Sequence, residues 1–340
     1  MNYKGINYDV GIPTTHGTSS REVFDPQIVR REIEIIRNDL HCNAIRISGQ
    51  DIERLVLAGD LAIQQGLEVW FSPSLPDATE EETLEYFAEC AGAAEHLRQR
   101  SPTTVFITGV ELTAFMRGLL EGDTPMQRLS TLMNPLRLIK STITKGSFHK
   151  NLNTFLSKAN AIIRQNFHGR VTYASGPWEE VDWSPFDFVG IDYYRDAMNK
   201  KVYEKNLRGY FKHSKPVVIT EFGCCTYQGA GDKGGYGWAV VDWEKSPPQL
   251  KPELTRDEAG QADYLIELLR VFEHEKVEGA FVFTFVSPGY PHHEDRIHDL
   301  DMASYSVVKT YEDHNGSTYK GMPWSPKASF FELANYYGTH

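Results

Sequence analysis

The 340-residue sequence has only four cysteines, and their placement excludes more than their number does. Cys42 and Cys90 stand alone and Cys224 and Cys225 are adjacent, so no metal-like spacing is present and neighbouring residues make a poor ordinary disulfide. Reduced thiols in a cytoplasm fit this usage. The opening stretch MNYKGINYDVG has no basic segment followed by an apolar one, which points to the same cytoplasmic location. No apolar run approaches the length needed to span a bilayer. Cations are in deficit: 35 Lys and Arg face 46 Asp and Glu, a formal net charge of -11. That balance argues against nucleic acid or an anionic membrane as the main partner and suits a neutral ligand. Internal repeats, low-complexity tracts and linkers are also missing, so residues 1–340 read as one domain.

What is present is an alternation of short apolar runs with longer amphipathic ones. Strands are predicted at 4–10, 43–48, 67–72, 104–110, 170–175, 186–194, 217–222 and 279–285, eight in all. Helices are predicted at 26–39, 50–65, 79–99, a region from about 127 to 166, 197–211, 257–275 and 326–337. Asp25 before Pro26, and Thr255 three residues before Glu258, are helix-start signals. Residues 176–185 are too few for a crossover helix and predict an irregular link. Eight alternating β and α units predict a parallel (β/α)8 TIM barrel. The alternative, a doubly wound sheet, normally carries a Gly-rich phosphate turn after its first strand, and YDVGIPTTHG lacks the G-x-G-x-x-G spacing. The longest irregular stretches, 223–256 and 286–325, follow the seventh and eighth strands and lie over the active face of a barrel.

Two acids occupy like positions. In PVVITEFGCC, Glu221 ends the buried run of Val217, Val218 and Ile219, and in TTVFITGVELTAF, Glu111 follows the run from Val105 to Ile107. A closed barrel brings the ends of its fourth and seventh strands to face each other across the mouth. Two facing carboxyls suit glycosidic bond cleavage, in which one protonates the leaving oxygen and the other attacks the anomeric carbon or activates water. Structural ion pairs with rim arginines are the competing explanation.

The motifs NAIRIS, FDFVGIDYYRD and VVITEFG resemble strands two, six and seven of the clan A glycoside hydrolases, (β/α)8 enzymes with catalytic glutamates on strands four and seven. The resemblance implies that Glu221 is the nucleophile, Glu111 the acid/base, Arg46 the cation that keeps the nucleophile ionised and Tyr194 its hydrogen-bond donor. No cofactor is implied. Apolar neighbours Val110, Leu112 and Phe115 are expected to raise the Glu111 pKa. Strand alternation puts Gly190, Asp192 and Tyr194 on one face, so Asp192 is expected at the mouth, bonded to sugar hydroxyls or paired with Arg195 or Lys200. Two positions depart from the clan. Val110 stands where it has an asparagine that binds the sugar 2-hydroxyl, and Phe283 stands where it has the tryptophan that floors the first subsite.

Further candidates surround this pair. SGPWEEVDW places Trp178 and Trp183 beside Glu179, Glu180 and Asp182, which reads as a sugar-binding wall or as a solvated acidic turn over a buried tryptophan. Asp9 or Tyr8 lines the mouth from the first strand. The loop QGAGDKGGYGWAVVDW reads as a lid or as a disordered excursion. YPHHEDRIHDLDM gathers His292, His293, His298 and four acids without H-E-x-x-H or another established metal spacing, and a sugar-contacting role for His292 is preferred over a metal site. The sequence therefore predicts a retaining glycosidase acting on a small oligosaccharide or glycoside. The rival readings are a lapsed barrel that binds carbohydrate or regulates, and a metal-dependent barrel hydrolase.

Overall fold

Each apolar run is short, β-branched or aromatic, and bounded by turn residues, which suits a strand covered on both faces. The computed structural model, which describes residues 1–14 and 17–340, turns eight of them into parallel strands. In barrel order these are β1 (Tyr3–Gly11), β2 (Ala44–Gly49), β3 (Glu68–Pro73), β4 (Val105–Val110), β5 (Arg170–Ala174), β6 (Val189–Asp192), β7 (Val217–Phe222) and β8 (Gly279–Val282). Neighbours pair in sequence order from β1 to β5 and from β6 to β8, and β1 also pairs with β8. Ser175 closes the remaining gap: its N–H donates to the Gly190 carbonyl at 3.0 Å and its carbonyl accepts from Asp192 at 2.9 Å. The chain is a (β/α)8 barrel, and the doubly wound alternative falls because strand order never reverses.

Alternation along the strands sorts two cores. Ile6, Tyr8, Ile45, Ile47, Val69, Phe71, Val217 and Ile219 face the helices. Ala44, Trp70, Val105, Ile107, Phe188, Val218 and Phe281 fill the barrel axis. Trp70 is the centre of this inner floor, with ring centroids 4.8 Å from Phe281, 5.1 Å from Phe188 and 5.3 Å from Tyr3. Such a plug keeps water out of the barrel from below, so polar groups above it sit in a low-dielectric well.

The helices follow their start signals. Asp25 caps Pro26–Asn38, Asp51 caps Ile52–Gln64, and Thr79 with Glu82 forms a capping box on Glu80–Arg100. The region predicted helical from 127 to 166 divides into Pro125–Met133, Pro135–Lys145 and Phe148–Asn166. It breaks where Pro135 disfavours helix at Asn134 and where Gly146 takes φ 83°. The stretch predicted at 197–211 is helical only over Tyr203–Arg208, followed by a 3-10 turn, and Asp257 rather than Thr255 caps Glu258–His274. The link between β5 and β6 is irregular, as its length requires. The loop after β7 is built rather than disordered: two 3-10 turns, Ala230–Asp232 and Gly234–Tyr236, are held by Tyr305, whose hydroxyl donates to the Gly234 carbonyl and accepts from the Gly237 N–H. Among the described residues no helix is long and apolar enough to cross a membrane.

Candidate active site

Regular alternation would send Glu221 the wrong way. Val217 and Ile219 face the helices, so an uninterrupted β7 would put Glu221 beside them, outside the barrel. Register prevents it: Ile191 pairs with Ile219 but Asp192 pairs with Glu221, leaving Thr220 as an extra residue. The bulge turns Glu221 inward, and Phe222 faces outward against Phe272, with ring centroids 5.0 Å apart. Two side chains hold the bulge, since the Thr220 carbonyl accepts from Arg46 Nη1 at 2.8 Å and from Asn7 Nδ2 at 3.2 Å. Asn7 is a site residue that the sequence reading missed, although a buried amide in an apolar strand, two residues before Asp9, was a signal.

Around Arg46 three carboxyls compete for one cation. Arg46 Nη1 lies 3.4 Å from Glu221 Oε2 and 3.5 Å from Asp192 Oδ1, with the Arg46 and Asp192 side chains fully buried and that of Glu221 17% exposed. Tyr194 donates its hydroxyl proton to Glu221 Oε1 at 2.5 Å. Burial pushes the Glu221 carboxyl upward, and Arg46 and the Tyr194 bond pull it back. Glu111 rises well above the usual carboxylate range, through burial first and then through the charges of Asp192, Glu221 and Glu179. Asp192 is driven up likewise, by burial and then by Glu221. One buried cation supports one carboxylate, and the carboxyl that has both the cation and a phenol donor is Glu221.

Glu111 is aimed by its backbone. The residue takes φ 42° and ψ 46°, a left-handed conformation that costs a non-glycine residue about 1–3 kcal/mol and persists only where neighbours enforce it. They do so from β5 and the link that follows it. Tyr173 Oη accepts from the Leu112 N–H at 2.8 Å, and Glu179 accepts from the Thr113 N–H at 3.1 Å and its hydroxyl at 2.6 Å. These contacts cap the short helix Leu112–Phe115 from outside, because a left-handed Glu111 supplies no side-chain cap of its own.

Several predicted substrate contacts take other roles. Glu179 is buried and its carboxylate also accepts from Tyr173, Ser175 and the Gly176 N–H, so it is a clamp and not a sugar-facing wall. Asp192 does not reach the rim; Thr220 donates to it at 2.8 Å beneath Glu221, while Arg195 pairs with Glu267 and Lys200 with Asp232. His292 turns to Asp299 at 2.8 Å, inside an ion-pair network in which Arg256 and Lys327 neutralise Asp299 and Asp301. Trp183 is buried against Phe186. Trp178 stays half-buried, its Nε1 donating to Thr113 at 2.9 Å. Asp9 shares the inward face with Asn7 and accepts from the Gly11 N–H at 2.7 Å, whereas Tyr8 faces outward. Phe283 is half-buried, with its ring 5.7 Å from Tyr305. Val110 packs toward the inner floor. Tyr236, from the loop after β7, is partly exposed; its phenol is raised by burial and then by the Glu111 charge, which places it in the same field. Among the described residues the group whose ligand atoms come within 4.8 Å of one another is Glu204, His274 and Glu275, on two outer helices and not in the histidine-rich loop.

The raised carboxyls have a consequence for stability. In the unfolded chain they titrate at about pH 4. The folded protein binds more protons than the unfolded one above that pH, so their contribution is complete below it and is lost as pH rises through the folded values. We expect the melting temperature to fall on this account as pH rises above about 4. Glu111→Gln should flatten that fall and melt higher than the parent at neutral pH, measured by calorimetry across that range.

Comparison with solved structures places this architecture. A GH113 β-1,4-mannanase superposes with a TM-score of 0.62 at 14% identity, over 100% of both chains. The GH113 β-mannanase AaManA from Alicyclobacillus acidocaldarius, in complex with ManMIm, gives 0.60 at 14% identity over 99% of this chain and 97% of its own. The apo structure of a β-glucosidase 1317 gives 0.55 at 13% identity over 100% and 98%. The chain shares their fold. No protein-family model and no curated protein sequence matches it.

Proposed function

We propose that the protein is a retaining glycoside hydrolase acting on a β-linked glycoside or short oligosaccharide, without a cofactor. The observation that carries the reading is the division between two carboxyls on facing strands. Glu221 has a cation and a phenol donor and suits an attacking anion, while Glu111 is raised by burial and by its acidic neighbours and suits a proton donor. In the first step Glu221 bonds to the anomeric carbon as the glycosidic bond breaks, and Glu111 gives its proton to the departing oxygen. In the second, Glu111 takes a proton from water as that water displaces Glu221 from the sugar. A second sugar in place of water gives transfer. Trp178, Phe283 and Asp9 are the side chains offered to the sugar.

The names of the structural neighbours favour mannosides and glucosides as first substrates to try. The test is the anomer formed first from an aryl β-glycoside, read by proton NMR before mutarotation. Retention is expected, and inversion would overturn the double displacement. A second reading, a lapsed barrel that binds carbohydrate, draws on Val110, whose apolar side chain lacks the amide that resembling enzymes use on the 2-hydroxyl. It predicts sugar-dependent thermal stabilisation without turnover.

A further inference from the structure

The helical excursion after β4 turns an apolar face outward. In helix Pro135–Lys145, Leu136 is 78% exposed, Ile139 58% and Ile143 80%, and Met133 just before it is 67% exposed. Positions 136, 139 and 143 recur at the helical period and form one stripe. Ser141 lies on the opposite side, buried, its Oγ accepting from the Glu121 N–H at 3.0 Å. Single exposed apolar side chains are ordinary, but a continuous stripe of them marks a contact surface. The excursion is also fixed in place, because Arg128 donates to the carbonyls of Ala114 at 2.7 Å and Gly122 at 3.1 Å.

Charge indicates what covers the stripe. Between Asp123 and Glu179 the sequence contains no Asp or Glu, whereas eight of the 35 cations fall there. Arg137, Lys140, Lys145 and Lys150 are exposed. Of those eight, Arg128, Lys158, Arg164 and Arg170 pair with Asp77, Glu80, Asp187 and Glu68, which leaves Arg137, Lys140, Lys145 and Lys150 as cations without an acid partner among the described residues. Self-association through a two-fold contact would set the acid-free stretch against itself. We propose that the face bearing Met133, Leu136, Ile139 and Ile143 docks on an anionic lipid surface. The apolar stripe enters the boundary between headgroups and acyl chains, and Lys140 and Lys145 extend to the headgroups. The inference does not depend on the glycosidase reading.

The test is sedimentation of the full chain with vesicles of phosphatidylcholine alone or mixed with phosphatidylserine. We expect binding to the mixed vesicles that weakens as salt is raised. Paired Lys140→Glu and Lys145→Glu should weaken it by at least about tenfold, from roughly 1 kcal/mol for each cation near such a surface. Paired Ile139→Asp and Ile143→Asp should abolish it, with melting temperature as the check on folding. Absence of binding to mixed vesicles at low salt, or binding by either paired variant equal to that of the parent, would overturn the proposal. So would a dimer on gel filtration that Ile139→Asp dissociates, since the stripe would then be covered by a second copy.

Discussion

Glu221→Ala is expected to lower kcat on an aryl β-glycoside by at least about 10⁴-fold while leaving the protein folded, as losses of that order follow removal of a member of a reacting group. Added azide should restore part of the rate, because a small anion fits the space the carboxylate leaves and attacks the anomeric carbon directly. The glycosyl azide formed should have the configuration opposite to the substrate. Glu111→Gln is expected to behave differently. Its loss should lie in the range of about 10²–10⁴-fold, largest for poor leaving groups and small for a dinitrophenyl glycoside that departs without a proton. Retention of more than about a tenth of parental turnover by Glu221→Ala would remove that residue as nucleophile. Two variants with identical dependence on the leaving group would deny the carboxyls separate roles.

Arg46→Met is expected to destabilise the fold by about 3–5 kcal/mol, the usual consequence of stranding a buried charge by deleting its partner. The size depends on pH in a stated direction. With the cation gone, only the Tyr194 bond pulls Glu221 back from the rise that burial imposes, and protonation becomes the way to relieve the stranded charge. The variant should therefore lie nearest to the parent in acid and fall furthest behind it at neutral pH, read from urea midpoints at several pH values. Whatever turnover survives should have its acidic limb moved to higher pH, because Glu221 must be ionised to attack. Arg46→Lys should recover part of the stability, since it restores the charge, but not the contacts that the Arg46 guanidinium makes to Thr220 and Glu221 together. A uniform loss across pH would mean that Arg46 acts through packing alone.

Much of this architecture was legible because the signals were local. A β-branched run bounded by turn residues needs no distant partner to be recognised, and all eight barrel strands fall where those runs lie. The residue types at the strand ends were visible for the same reason, as was the shared face of Gly190, Asp192 and Tyr194. The misreadings have a common cause. Glu179 and His292 are polar residues in loops, and their burial depended on donors and acceptors supplied from elsewhere: Thr113 and Tyr173 for the first, Arg256 and Asp299 for the second. Asp192 was assigned to the correct face at the wrong depth, since period-two alternation fixes a side but not how far up the barrel a residue sits.

By itself, then, the sequence determined the number and order of the strands, the starts of the first three helices, and the presence of an acid at the end of β4 and of β7, all consequences of hydrophobic period and short-range propensity. The tertiary structure decided which way Glu221 points, because a single extra residue at Thr220 reverses the face and the partners that hold that bulge, Asn7 and Arg46, come from other strands. It also decided which carboxyl keeps its proton, since that follows from one cation among three acids brought together from β4, β6 and β7, Asp192 fully buried and Glu111 and Glu221 partly so. Protonation in a low-dielectric well depends on all its neighbours at once, and those neighbours are set by folding.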